Sequence, residues 1–149
     1  MRAVLALILG MLIWGGACLP VAADTAGGAQ NTVSAADEGE FREAIAAQIE
    51  ALRAGDAPAA FAFASPGIQA RFGSPAVFMD MVRGGYAALV DPQALSFGGV
   101  TDALGYPTQV AVVVDRQGRS WTALYAFERQ PDGAWRISGC VLKRLDEVS

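Results

Sequence analysis

Beyond Pro92 the apolar residues of this chain alternate with a period of two, and few architectures can use such a pattern. "ALSFGGV" (94–100) reads as a weak strand, while "TQVAVVVD" (108–115), "RSWTALYAFER" (119–129) and "AWRISGCVLKR" (134–144) read as strong ones. Their β-branched and aromatic residues suit a pleated, half-buried surface. "RQG" after Asp115 and "PDG" after Gln130 each suit a three-residue loop, a type I turn closed by glycine in the left-handed region. Loops this short join only antiparallel neighbours. A meander of about four strands follows.

The second loop also sets a register. It places Gln130 opposite Ala134, Glu128 opposite Arg136 and Phe127 opposite Ile137, and the charge pair supports that alignment. Continued without interruption, the ladder sets Tyr125 against Gly139, Ala123 against Val141, Leu124 against Cys140 and Ala126 against Ser138. One face is then aromatic, with Trp121, Tyr125, Phe127 and Trp135. The other is small, with Val110, Val112, Val114, Thr122, Leu124, Cys140 and Leu142. A sheet apolar on both faces wants two covers. Helices supply one, and a second protomer packed on the sheet, making a homodimer, would supply the other.

Upstream the period is helical. Phe41, Ile45, Ile49 and Leu52 form one apolar stripe on a helix over about 38–54. Glu38, Glu40 and Glu43 lie in its first turns and Arg53 near its end, as the macrodipole favours, and Gly55 stops it. Asp56 caps a second helix with Pro58 in its first turn. "SPGIQARFG" (65–73) reads as a break with a short turn, Ser65 capping before Pro66. Ser74 and Pro75 open a third helix to about Arg83, closed by Gly84 and Gly85. Its apolar residues run nearly all round, so burial on more than one side is expected. The expected class is α+β: three N-terminal helices packed on a curved antiparallel sheet of about four strands.

Residues 1–23, "MRAVLALILGMLIWGGACLPVAA", have the pattern of a secretory signal peptide. Arg2 precedes an apolar run from Ala3 to Trp14, and Val21-Ala22-Ala23 offers a small-x-small cleavage site. Export to the periplasm or beyond is the expectation, with cleavage after Ala23 and no membrane attachment afterwards. Acylation at Cys18, in "GGAC", is the alternative. Residues 24–37 read as a flexible leader, 38–145 as one domain and 146–149 as a tail. Cleavage leaves Cys140 as the single thiol, so no intramolecular disulfide can form.

Charge and composition narrow the chemistry. Eleven basic residues against fifteen acidic give a net charge of −4, which argues against nucleic acid and offers no polybasic lipid anchor. Zero histidines remove Ser-His-Asp and Cys-His catalysis and histidine-ligated zinc. No cofactor motif or metal-ligand set is legible. The glycines of "RGGY" (83–86) and "GGV" (98–100) read as turns, not as phosphate-binding loops.

Asp80 and Arg83 are the charges on the third helix. They read either as a pocket carboxylate with an anion-holding guanidinium or as an i,i+3 pair at the rim. Tyr86 and Tyr125 are the polar-tipped aromatics best placed near a helix–sheet cavity, with Gly139 leaving room beside Tyr125. Trp121 and Trp135 complete the aromatic face as candidate ligand contacts. Cys140, without a histidine to activate it, reads as a packing residue.

Three helices followed by a sheet that ends in "DGAWRISG" resemble the nuclear-transport-factor-two-like fold, the cone-shaped (cystatin-like) α+β family that includes SnoaL-type cyclases and ketosteroid isomerase. "FASPGIQARFGSPAVFMDMVRGGYAAL" with "DGAWRISGCVL" resembles a family of short exported bacterial proteins of unknown function within it. Catalytic members of the fold hold an Asp, often with a Tyr or His partner, inside the cone. No element here carries such a residue across. The expected role is a non-catalytic module for a small apolar ligand or a partner protein. A proton-transfer enzyme with Asp80 as base and Tyr86 or Tyr125 as donor is one alternative, and a structural homodimer subunit is another.

Overall fold

The computed structural model describes residues 32–147. The expected signal peptide, the Cys18 acylation site and most of the leader lie outside the described residues. Helix α1 spans Ala35–Arg53 and starts three residues before its expected position. The cause is a capping box. Asp37 N donates to Ser34 Oγ at 3.2 Å while Ser34 N donates to Asp37 Oδ2 at 2.9 Å, so two otherwise unpaired amides are satisfied together. The predicted stripe faces inward, with Phe41 and Ile45 0% exposed and Ile49 and Leu52 2%. Burial of each such side chain contributes about 1.5–3 kcal/mol.

Helix α2 (Ala57–Ala62) follows the expected Asp56 cap, whose carboxylate accepts from Ala59 N at 3.1 Å. The "SPGIQARFG" segment is not a break. It forms helix α3 (Pro66–Phe72), capped by Ser65 and ended by Gly73 at φ 74°, a left-handed conformation that costs glycine little. Helix α4 covers Pro75–Gly85, and a short helix α5 (Ala87–Val90) follows it. On α4, Phe78, Met79 and Val82 are buried but Val77 is 52% exposed. Its burial is therefore one-sided, contrary to expectation, with α2 as its main packing neighbour.

Strands β1 (Ala94–Thr101), β2 (Thr108–Val114), β3 (Ser120–Arg129) and β4 (Trp135–Arg144) form a four-stranded antiparallel sheet in sequential order. Both tight turns close as read: Gly118 sits at φ 77° and Gly133 at φ 87°. Helices α1 and α5 contact β2, and α3 contacts β4. The core is therefore sandwiched between helices and one sheet face. At its centre Phe41 stacks on Phe127 with ring centroids 4.2 Å apart, and Trp135 meets Phe41 edge-on at 5.0 Å.

The β3–β4 register agrees with expectation from the turn as far as Phe127 opposite Ile137, then slips by one. A β-bulge at Ser138 places Gly139 opposite Ala126, Cys140 opposite Tyr125, Val141 opposite Leu124 and Leu142 opposite Ala123. Next to it the backbone of Phe63–Ser65 pairs with β4: Ile137 N donates to Phe63 O at 2.9 Å, and Ser65 N to Ile137 O at 2.8 Å. Because one extra residue inverts every side chain after it, Cys140 and Leu142 share the core face with Tyr125 and Ala123. They do not stand with Leu124, as the uninterrupted ladder would have had them. Trp121 and Trp135 share that core face. A second bulge lies at Gly98–Gly99 of β1, where a Cβ on Gly98 would stand 3.3 Å from the Val110 side chain.

Candidate functional site

The bulge opens a cavity between β4 and the helices. Helices α3 and α4 wall it on one side, α1 closes its back through Gln48 and Leu52, and Tyr125, Ile137, Ser138, Gly139 and Cys140 form the sheet side. Its volume is about 500 Å³, within the span usual for small-molecule sites. The wall is mostly apolar: Leu52, Ile68, Phe72, Phe78, Met81 and Val82 contribute hydrocarbon or aromatic surface. A second hollow of about 500 Å³ shares Ile68, Arg71, Ser138, Gly139 and Cys140 with the first, so the two adjoin at α3 and the bulge.

Five polar side chains interrupt the apolar wall: Gln48, Arg71, Tyr86, Tyr125 and Ser138. Two of them are occupied. Gln48 Nε2 donates to Ala60 O at 3.2 Å, and the Tyr86 hydroxyl donates to Cys140 O at 3.0 Å, tying the end of α4 to β4. The hydroxyls of Tyr125 and Ser138 are buried without a hydrogen-bond partner among the described residues. Arg71, in the last turn of α3, is exposed at the rim and makes no ion pair or hydrogen bond among the described residues.

Burial sets the protonation of the wall. It pushes the Cys140 thiol up to about 12, raises the Tyr125 phenol well above its ordinary value and raises the Tyr86 phenol, with the neighbouring Cys140 adding to both phenol shifts. Thiol and phenols therefore stay neutral near pH 7, and the wall includes no carboxylate and no histidine. Such an arrangement can hold an apolar body and hydrogen-bond to it. It has no group ready to accept a proton at neutral pH.

Of the residues singled out from the sequence, Tyr86, Tyr125, Gly139 and Cys140 come together at this cavity; Asp80, Arg83, Trp121 and Trp135 do not. Asp80 is exposed on α4 and outside the cavity wall. A general base must face its substrate, so the proton-transfer reading that relied on Asp80 is withdrawn. Arg83 is also exposed and borders a separate hollow with Asp91, Asp115, Arg116 and Arg119. It forms no ion pair with Asp80 among the described residues. Trp121 and Trp135 are held by structural contacts. Trp121 Nε1 donates to Asp115 Oδ2 at 2.9 Å, and Trp135 Nε1 donates to Asp37 Oδ1 at 2.8 Å.

Both acceptors are strong carboxylates. Burial works against the charge of Asp115, yet bonds from Trp121, Arg119 and the amides of Arg119 and Gln117 outweigh it and hold the carboxyl at about 2. The Ser34 amide, then Trp135 and the Ser34 hydroxyl, hold Asp37 at about 2.

Gln48, Arg71 and Ser138 are the polar cavity residues that the sequence reading missed. Ile68 and Phe72 lie four apart between a Ser-Pro start and a glycine stop, a pattern sufficient to read α3 as a helix and to give Arg71 a place on it. A glycine inside an alternating strand, as at Gly139, is a recognised sign of a bulge. The model of one family, DUF4864, a domain of unknown function, matches residues 34–148. No curated protein and no solved structure matches the chain.

Proposed function

The chain belongs to the DUF4864 family of domains of unknown function, and from that premise we propose, on the chemistry of its cavity, a non-catalytic module that binds a small apolar or amphipathic molecule. The observation that carries this reading is the apolar hollow of about 500 Å³ with the unpaired, fully buried hydroxyl of Tyr125 in its wall. A buried hydroxyl without a partner costs free energy. A cavity that retains one in an otherwise hydrocarbon wall suits an occupant carrying a complementary polar atom. The helices-then-meander order also accords with the cone-shaped nuclear-transport-factor-two-like class, in which the hollow would be the interior of the cone.

The test uses N-phenyl-1-naphthylamine, a neutral fluorophore that brightens in apolar surroundings. A saturable rise with the purified protein, lost in Met81→Trp and in Cys140→Phe, supports the reading. These substitutions fill the hollow from its rim and its floor. No saturable rise, or an equal rise in both variants with native circular dichroism, refutes it.

Residues 1–23 extend the proposal to an exported protein, acting in the periplasm or outside the cell. N-terminal sequencing of the accumulated protein should begin at Asp24; an intact Met1 would refute this part. A homodimer is a second reading, favoured by the outer sheet face, where Val110, Val112, Val114, Leu124 and Val141 stand half-exposed. Light scattering at micromolar concentration should give twice the chain mass, and a monomer would remove it.

A further inference from the structure

We infer that the occupant of this cavity is an anionic amphipath, an apolar body ending in a carboxylate, whose head is held at the α3 rim by Arg71. The inference rests on the binding reading above and adds the charge of the ligand to it. Three observations carry it. Among the described residues Arg71 is the one ionised side chain in the cavity wall, in a protein whose net charge is −4. Its guanidinium has no carboxylate or carbonyl partner among the described residues, whereas Arg42, Arg53, Arg116, Arg119 and Arg144 each pair with an acidic residue; Arg83 and Arg136 also form no ion pair there, but neither lines this cavity. The remaining unpaired polar groups of the wall, Tyr125 OH and Ser138 Oγ, are hydroxyls able to donate.

A wall that holds one guanidinium and two unpaired hydroxyls and, among the described residues, no acidic side chain suits an oxyanion better than a cation; the nearest acidic lining is Glu128, in the adjoining hollow. Arg71 and Ser138 belong to both adjoining hollows, so the rim group and the bulge hydroxyl stand where the two meet. Ser138 Oγ can change its direction by rotating about χ1 between staggered wells, which lets a ligand oxygen engage it without moving the backbone. The apolar body would then lie along Phe72, Phe78 and Met81, which line the hollow.

Competition against N-phenyl-1-naphthylamine by three molecules with the same twelve-carbon tail isolates the head: laurate, 1-dodecanol and dodecyltrimethylammonium. Wild-type protein is expected to prefer laurate by roughly five- to ten-fold over dodecanol, the usual scale of a charge-assisted contact at a partly exposed site, with the cation weakest. Arg71→Gln should bring laurate down to the dodecanol level and leave dodecanol unchanged, and Arg71→Lys should keep part of the preference. Arg71 is exposed, so neither variant threatens folding. 2-Naphthoate distinguishes an aromatic acid from a chain acid, and a preference for either carboxylate that disappears in Arg71→Gln supports the inference. Equal competition by laurate and dodecanol, or a parallel loss of both in Arg71→Gln, overturns it while the binding reading stands. So does bound fluorophore that none of the acids displaces. Absence of fluorophore binding overturns both.

Discussion

Tyr125 and Tyr86 line the same cavity, and removing their hydroxyls should change stability in opposite directions. Tyr125 is 1% exposed and its hydroxyl has no partner, so the folded state bears a desolvation cost that the unfolded state does not. Tyr125→Phe removes the oxygen and keeps the ring against the core. An unpaired buried hydroxyl costs about 1–3 kcal/mol. Taking the low end, the variant should gain about 1 kcal/mol, equivalent to a rise in Tm of about 4 °C for a domain of this length. Tyr86→Phe instead breaks the bond to Cys140 O at 3.0 Å, and should lose about 0.5–1.5 kcal/mol. Urea unfolding followed by circular dichroism measures both, provided that the m-value stays constant, so that a shift in midpoint reports stability. With a saturating ligand the gain in Tyr125→Phe should shrink, because the hydroxyl then has something to bond. A loss of 1 kcal/mol or more in ligand-free Tyr125→Phe would mean that the hydroxyl is already satisfied, and the argument from an orphaned donor would fail.

Two further outcomes follow from the ionisable groups with shifted titration. Asp115 and Asp37 have folded-state values of about 2, below the ordinary carboxylate value of 3.8. Their contribution is therefore complete above pH 4 and is lost as pH falls toward 2, when the folded state must take up protons that the unfolded state already binds. Asp115→Asn should be less stable than wild type at pH 7, and the gap should narrow through that window. A gap that is constant from pH 7 to pH 2 would show that the charge contributes nothing. Cys140, with its thiol pushed up to about 12 by burial, should react with a disulfide reagent at pH 8 at least roughly a hundred-fold more slowly in the native Cys18→Ala protein than in urea. Comparable rates would place the thiol in solvent.

How much of this was legible beforehand depended on how local the governing interaction is. The α1 stripe of Phe41, Ile45, Ile49 and Leu52, the caps at Asp56 and Ser74, and the glycine turns at 118 and 133 are each decided within a few residues. Alternation, helical period and turn chemistry were therefore sufficient to set the α+β class, the strand order and the register nearest the turn. Helix α3 was legible too, through Ser65, Pro66, Ile68, Phe72 and Gly73, and was passed over because seven residues make a weak periodic signal.

The site belongs to the other category. Ser138 leaves the ladder next to Ile137, whose outward backbone groups are taken up by Phe63 and Ser65, more than seventy positions away. Gly139 marks a place where a bulge is tolerated, but the segment that packs beside it lies far off in the chain, and no window of sequence contains both. That displacement turns Cys140 to the core and sets Gly139 and Ser138 at the cavity that Arg71 of α3 also lines. The sequence by itself therefore determined the layers and their order, through short-range periodicity. Tertiary structure decided which side chains face the hollow, because one unpaired residue in a strand inverts all that follow it.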